Sequence, residues 1–174
     1  MSAYIPSALW HWQSQGDVLA LDTGVVRHCT GFTLSQLYAS PQQQPFTLEQ
    51  AEAYWLYWHQ LESLGWPQEH CFAAAIDAVA GQFFLRLAAH KSWWFQPLSQ
   101  QYHPKTGSLV QLAAQGMVLA LVLNQTANCA QLLLLQHGIT LQAKTLSAGQ
   151  VLTVLCDRLQ PHQQQRPPKL AKSA

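Results

Sequence analysis

Residues 47–67 read TLEQAEAYWLYWHQLESLGWP, and this stretch decides what kind of fold the chain can have. Thr47 followed three residues later by Gln50 is a pairing in which two side chains satisfy each other's free backbone N–H groups at a helix start. Leu48, Ala51, Trp55, Trp58, Leu61 and Leu64 then recur at helical spacing, which predicts a helix from about Leu48 to Leu64. Gly65 suits the left-handed position just past a helix end, and Pro67 suits the first turn of a new helix. Phe72, Ala75, Ile76, Val79 and Phe83 form the buried stripe of that second helix, so the pair reads as an antiparallel hairpin.

Upstream, Trp10–Gln13, Val18–Asp22 and Val25–Cys29 are short apolar-rich runs separated by turn residues, the pattern of a small antiparallel meander. Thr33–Ala39 reads as a short helix, stopped by the proline- and glutamine-rich loop Pro41–Pro45. Beyond Ala89 the texture changes to apolar runs of strand length at Ser92–Gln96, Ser108–Ala113, Met117–Asn124, Cys129–Gln136, Ile139–Thr145 and Gln150–Leu155. Short strands at this even spacing point to a curled sheet or small barrel. The expected class is α+β: an N-terminal α/β domain (1–89, meander plus helical hairpin) and a β-barrel-like domain (90–162). The glutamine-, proline- and lysine-rich end, 163–174, has almost nothing to bury and is expected to be disordered.

With 49% hydrophobic residues in 174, the chain has enough apolar surface for a real core. Its longest greasy runs, Met117–Leu123 and Leu132–Leu135, are too short to cross a bilayer as a helix. Met1–Pro6 lacks the basic-then-apolar pattern of a secretory leader, so the expected compartment is the cytoplasm. Cys29, Cys71, Cys129 and Cys156 lie far apart and the histidines are scattered singly, so neither disulfide, metal nor cofactor is expected. Charge is split by position: up to Asp77 there are seven acids and one base (Arg27), and afterwards eight bases and one acid (Asp157). A basic C-terminal half suits an acidic partner, protein or nucleic acid.

Several motifs compete for the function. Leu21-Asp22-Thr23-Gly24 resembles the way aspartic proteases present a catalytic carboxylate, but that chemistry needs two carboxylates sharing a proton and this chain carries one such triplet. A homodimer would be required, whereas a tight turn explains the same residues without one. Nucleophile-elbow, phosphate-loop, dinucleotide and zinc-helix patterns are missing, so no enzyme activity is expected. A single-stranded nucleic-acid-binding barrel would use the basic half and its aromatics, but eight bases over nearly a hundred residues make a thin phosphate footprint. In Lys91-Ser92-Trp93-Trp94-Phe95, strand alternation places Lys91, Trp93 and Phe95 on one face, an aromatic floor with a basic rim of the kind protein interfaces use. That both tryptophans fill the core remains open at this point.

Trp10-x-Trp12, Leu21-Asp22, Phe46 ahead of the first long helix, Lys91-Ser92-Trp93-x-Phe95 and Asp157-Arg158-Leu159-x-Pro161 together resemble the ZapC family in order and spacing. The resemblance implies an N-terminal α/β domain and a C-terminal twisted β-barrel-like domain, each with a pocket. It implies a monomer at the mid-cell division site that binds the globular core of polymerised FtsZ, bundles its filaments and lowers their GTP turnover, with no role for nucleic acid or membrane. By similarity Leu21 falls in the N-terminal pocket, while Arg86, Lys91 and Arg158 rim the C-terminal one beside Trp93 and Phe95. Asp157 next to Arg158 leaves open an internal ion pair instead.

Overall fold

The computed structural model describes residues 3–163. The first strands are β1 (His11–Gln15), β2 (Val18–Asp22) and β3 (Arg27–Thr33). They form the expected meander, extended by β4 (Gln44–Pro45) in the order β3-β2-β1-β4. β4 falls within the stretch read as a loop, and its proline sits where proline is tolerated, at a sheet edge. Thr33–Ala39 contributes only the single 3-10 turn Leu34–Gln36.

Helix α1 (Leu48–Glu62) starts with the reciprocal Thr47–Gln50 cap that the sequence specifies. Gln50 does more than cap: its buried Oε1 also accepts the indole N–H of Trp12 at 2.9 Å, tying α1 to β1. The buried face of α1 is rotated from the expected stripe. Leu48, the first helical residue, is 78% exposed, while Tyr54, Tyr57, Trp58 and Leu61 are buried. Tyrosines serve there because their hydroxyls find partners, Tyr54 donating to Tyr4 O at 2.8 Å and Tyr57 to Gln82 Oε1 at 2.6 Å. Burial pushes both phenols well above the usual tyrosine range. After Gly65, at φ +75°, helix α2 (Gln68–Phe83) buries Phe72, Ala75, Ile76 and Val79 as expected.

The rest of the chain gives β5 (Leu109–Ala114), β6 (Gly116–Gln125), β7 (Cys129–Leu134), β8 (Gly138–Ile139), β9 (Thr145–Leu146), β10 (Val151–Leu155) and β11 (Leu159–Pro161). Five of these pair antiparallel in the order β10-β7-β6-β5-β11. The expected α+β class holds, and the sheet of the barrel-like region does not close: it is an open curtain with β10 and β11 at its edges. Ile139–Thr145, expected as one strand, is a turn between the short partners β8 and β9. Ser92–Gln96, also expected as a strand, instead begins with a 3-10 turn over Ser92–Trp94. Three-residue β11, with its proline, carried too weak a pattern to be anticipated.

β6 is buried on both faces. Leu119, Leu121 and Leu123 join the cluster built by α1, α2 and the first sheet. Val118, Ala120 and Val122 join a second cluster with Phe95, Val110, Leu112, Val154 and Leu159. Alternation at period two assigns the two sets to opposite faces. α2 meets the curtain at Gly81, where an added Cβ would lie 2.7 Å from Leu123 Cδ1 and 3.3 Å from Val151 Cγ2. The predicted disorder of 163–174 lies, from residue 164 onward, outside the described residues.

Candidate partner-binding surface

The chain reaches the second sheet through the segment Lys91–Phe95, and hydrogen bonds explain why it turns instead of extending. Lys91 N–H donates to Thr153 O on β10 at 2.7 Å. Ser92 is buried, its hydroxyl accepts Leu155 N–H at 2.8 Å, and its carbonyl accepts both Phe95 N–H at 3.1 Å and Arg158 Nε–H at 2.9 Å. Ser92 thus pins the turn to the end of β10, and Phe95, 1% exposed, plugs the second cluster below it. Two pinned residues of a tight turn push the residues between them outward.

Those residues form a ledge. Trp93 is 52% exposed and Trp94 is half-buried. Lys91 Nζ lies 5.3 Å from the Trp93 ring centroid and 5.6 Å from that of Trp94, while Lys144 Nζ lies 5.8 Å from that of Trp94. Such cation–ring contacts contribute roughly 0.5–1 kcal/mol each at exposed sites, enough to hold flexible lysines over the indoles. Lys144 comes from the β8–β9 turn, which is fastened here by Leu141 N–H to Trp94 O at 3.0 Å and Gln142 Nε2 to Trp93 O at 2.7 Å. Among the described residues neither lysine has an ion-pair partner.

Of the sequence-predicted site residues, Lys91 and Trp93 stand together on this ledge. Arg86 lies nearby: it and Thr153 line a cleft of about 220 Å³, and Thr153 O is the acceptor for Lys91 N–H. Arg86 Nε donates to Leu37 O at 2.8 Å, leaving its two terminal nitrogens without a partner among the described residues. Arg158 is turned inward, its Nη1 2.5 Å from Asp157 Oδ1 and its Nε on Ser92 O, so the internal pair left open by the sequence is present. It positions the ledge from beneath. Leu21 and Phe95 have essentially no exposed surface and pack in the first and second clusters. The alternation expected to align Phe95 with Lys91 and Trp93 fails because the segment is a 3-10 turn, in which neighbours fan out by about 120°. Lys144 was missed, since its arrival depends on a turn fifty residues away.

The Asp22-Thr23-Gly24 triplet is a turn whose groups are all engaged. Asp22 Oδ1 accepts Gly24 N–H at 2.8 Å, its Oδ2 accepts Arg27 Nη2 at 2.7 Å, and Thr23 Oγ1 donates to Val26 O at 3.0 Å. The Arg27 guanidinium and then the Gly24 amide hold this carboxyl below the usual aspartate range. A second acid, Asp77 on α2, has its Oδ1 hydrogen-bonded to His28 Nε2 at 2.8 Å, and burial, only partly offset by His28, pushes its carboxyl above the usual aspartate range. Among the described residues no group of three His, Cys, Asp or Glu side chains converges as metal ligands would. All four cysteines are free thiols, those of Cys71 and Cys156 pushed up by burial. No helix of the described residues is long and apolar enough to cross a membrane.

Residues 89–165 match the family model described as cell-division protein ZapC, C-terminal. Over 172 residues the chain is 27% identical to cell division protein ZapC of Proteus mirabilis, covering 94% of this chain and 93% of that one. It is 30% identical over 121 residues to cell division protein ZapC of Vibrio cholerae, covering 67% of each. The protein of the same description from Aeromonas hydrophila is 27% identical over 157 residues, covering 87% of this chain and 88% of the relative.

Proposed function

Because this chain belongs to the ZapC family of cell division proteins, we propose that it binds polymerised FtsZ at mid-cell and ties neighbouring filaments together, without catalysing a reaction of its own. The ledge of Lys91, Trp93, Trp94 and Lys144 supports this reading most directly. It combines an exposed indole, the residue type most often dominant in protein interfaces, with unpaired cations that attract an acidic surface. Indole contact sets the lifetime of the complex and the lysines set its encounter rate and salt sensitivity. Arg86 extends the same positive margin along β10. Arg158 serves the ledge through Ser92.

Tying filaments requires two points of attachment, and the acidic half carrying α1 and α2 is the second surface of a monomer in this reading. Repetition along two polymers then raises avidity without new contacts. Nucleic acid and membrane have no part in it.

Co-sedimentation with polymerised FtsZ tests the proposal. The wild-type chain pellets with polymer, less so as salt rises from about 50 to 300 mM, because the Debye length shrinks below the charge separations involved. Trp93→Ala, and Lys91→Glu combined with Lys144→Glu, each weaken pelleting by about tenfold in affinity, roughly 1.4 kcal/mol. Wild type staying in the supernatant removes the FtsZ reading; undiminished pelleting of both variants removes the ledge.

A further inference from the structure

Strand β10 has a free edge. Leu134 N–H donates to Gln150 O and Cys156 N–H to Asn128 O, so the even-numbered residues of β10 bond to β7 and the odd-numbered ones face away. Of the outward groups, Thr153 O takes Lys91 N–H and Leu155 N–H is held by Ser92 Oγ. Val151 N–H, Val151 C=O and Thr153 N–H have no partner among the described residues. Natural sheets cover, shorten or charge their edges, because a row of unpaired backbone groups is a template for another strand.

This edge is the wall of a trough. Val151 lines a cleft of about 500 Å³ that is also lined by Gly31 and Phe32 of β3, the edge strand of the first sheet, and by Asp77. Val151 and Thr153 also line the adjoining 220 Å³ cleft beside Arg86 and Leu87. Gly31 has nothing within 4 Å of where a Cβ would stand, so the lining leaves room there. Leu87, 64% exposed, and Arg86, whose Nε is held by Leu37 O, both line the smaller cleft.

We propose that the trough takes an extended segment of the partner as an added antiparallel strand on β10, with an acidic side chain at the Arg86 end and apolar side chains at alternate positions against Leu85 and Leu87. The carboxylate matches the planar fork of an arginine better than a lysine would. Main-chain pairing at Val151 and Thr153 supplies strength that does not depend on sequence, and the side-chain clefts supply selectivity. The pairing ends at Thr153, where Lys91 already occupies the carbonyl. Strand addition rests on the reading above that the partner is FtsZ, and it assigns to that partner a flexible acidic segment in addition to whatever face meets the ledge.

The test joins two measurements on the full chain with polymerised FtsZ. Backbone amide exchange of peptides covering 147–155 is expected to slow by at least about tenfold at Val151 and Thr153 when polymer is present. Val151→Pro and Thr153→Pro remove outward N–H groups that bond nothing within the fold; Thr153→Pro keeps the wild-type melting temperature within a few degrees, whereas Val151→Pro also loses side-chain packing against α2 and is assayed well below its own, lower midpoint. Each raises the apparent Kd by about fivefold to tenfold, the size of one or two net hydrogen bonds. Wild type that pellets with FtsZ while both amides stay fast and both proline variants pellet equally overturns strand addition and leaves the FtsZ reading standing. Wild type that does not pellet overturns both. Slow exchange at Val151 and Thr153 in the chain alone overturns strand addition as well: if independent of concentration, the chain's own residues cover the edge, and if only at high concentration, a second copy does.

Discussion

At Asp22 both carboxylate oxygens are engaged, one by the Gly24 amide and one by Arg27. Since those partners favour the ionised form, the stability Asp22 contributes is present above the ordinary aspartate pKa and is lost as pH falls through the lowered value. Asp22→Asn is therefore expected to melt below wild type at pH 7, with the gap closing as pH drops under about 4. Melting temperature followed from pH 7 to 2.5 checks this, and a gap that widens in acid contradicts it. Half the Arg27 side chain is exposed, so screening keeps the gap small and salt narrows it further. The turn was legible in the sequence because Asp, Thr and Gly act within five residues of one another. Ser92 was not: its role as an anchor exists only once β10 and Arg158 arrive beside it. Lys144 was hidden for the same reason, whereas the pairing of Arg158 with Asp157 stood as an open alternative because the two residues adjoin in sequence.

Among the elements, helix α2 shows how close packing overrides propensity. Gly81 is a poor helix former, and alanine there would favour the helix by about 1 kcal/mol if nothing else intervened. Leu123 and Val151 fill the space, however. Gly81→Val places two further methyl groups against them and is expected to lower stability by about 2–3 kcal/mol, measured as a shift of the urea midpoint at constant slope. An unchanged midpoint would mean that α2 can lift off the curtain freely. The helices themselves were readable from residues 47–83, because capping, spacing and glycine–proline punctuation are local signals. The exposed Leu48 and the buried tyrosines were not, since hydropathy ranks leucine above tyrosine and is blind to hydroxyl partners supplied by Tyr4 and Gln82. For Ser92–Gln96, a run of aromatic residues satisfies the alternation of a strand and the fan of a tight turn equally well.

Across the whole molecule, the acidic first half and the basic second half meet along one continuous core. Leu119, Leu121, Leu123, Leu133 and Leu135 of the curtain share a cluster with Trp10, Tyr57, Ile76 and Val79. Neither half can shed the other without exposing that cluster to water. Chemical denaturation is therefore expected to show one transition, with far-ultraviolet circular dichroism and tryptophan fluorescence giving the same midpoint. Two separated midpoints would place the weak seam between α2 and β6.

Under the crosslinking role proposed above, that seam carries a mechanical consequence. A crosslinker joined by a flexible tether sets only a maximum spacing between the strands it connects. Here α2 beds onto the curtain at glycine distance, with leucines meshed across the contact. Strain applied at the ledge therefore passes to the helical end through close-packed side chains, and in the proposed role the gap between linked filaments would be set by the width of the molecule, as by a strut.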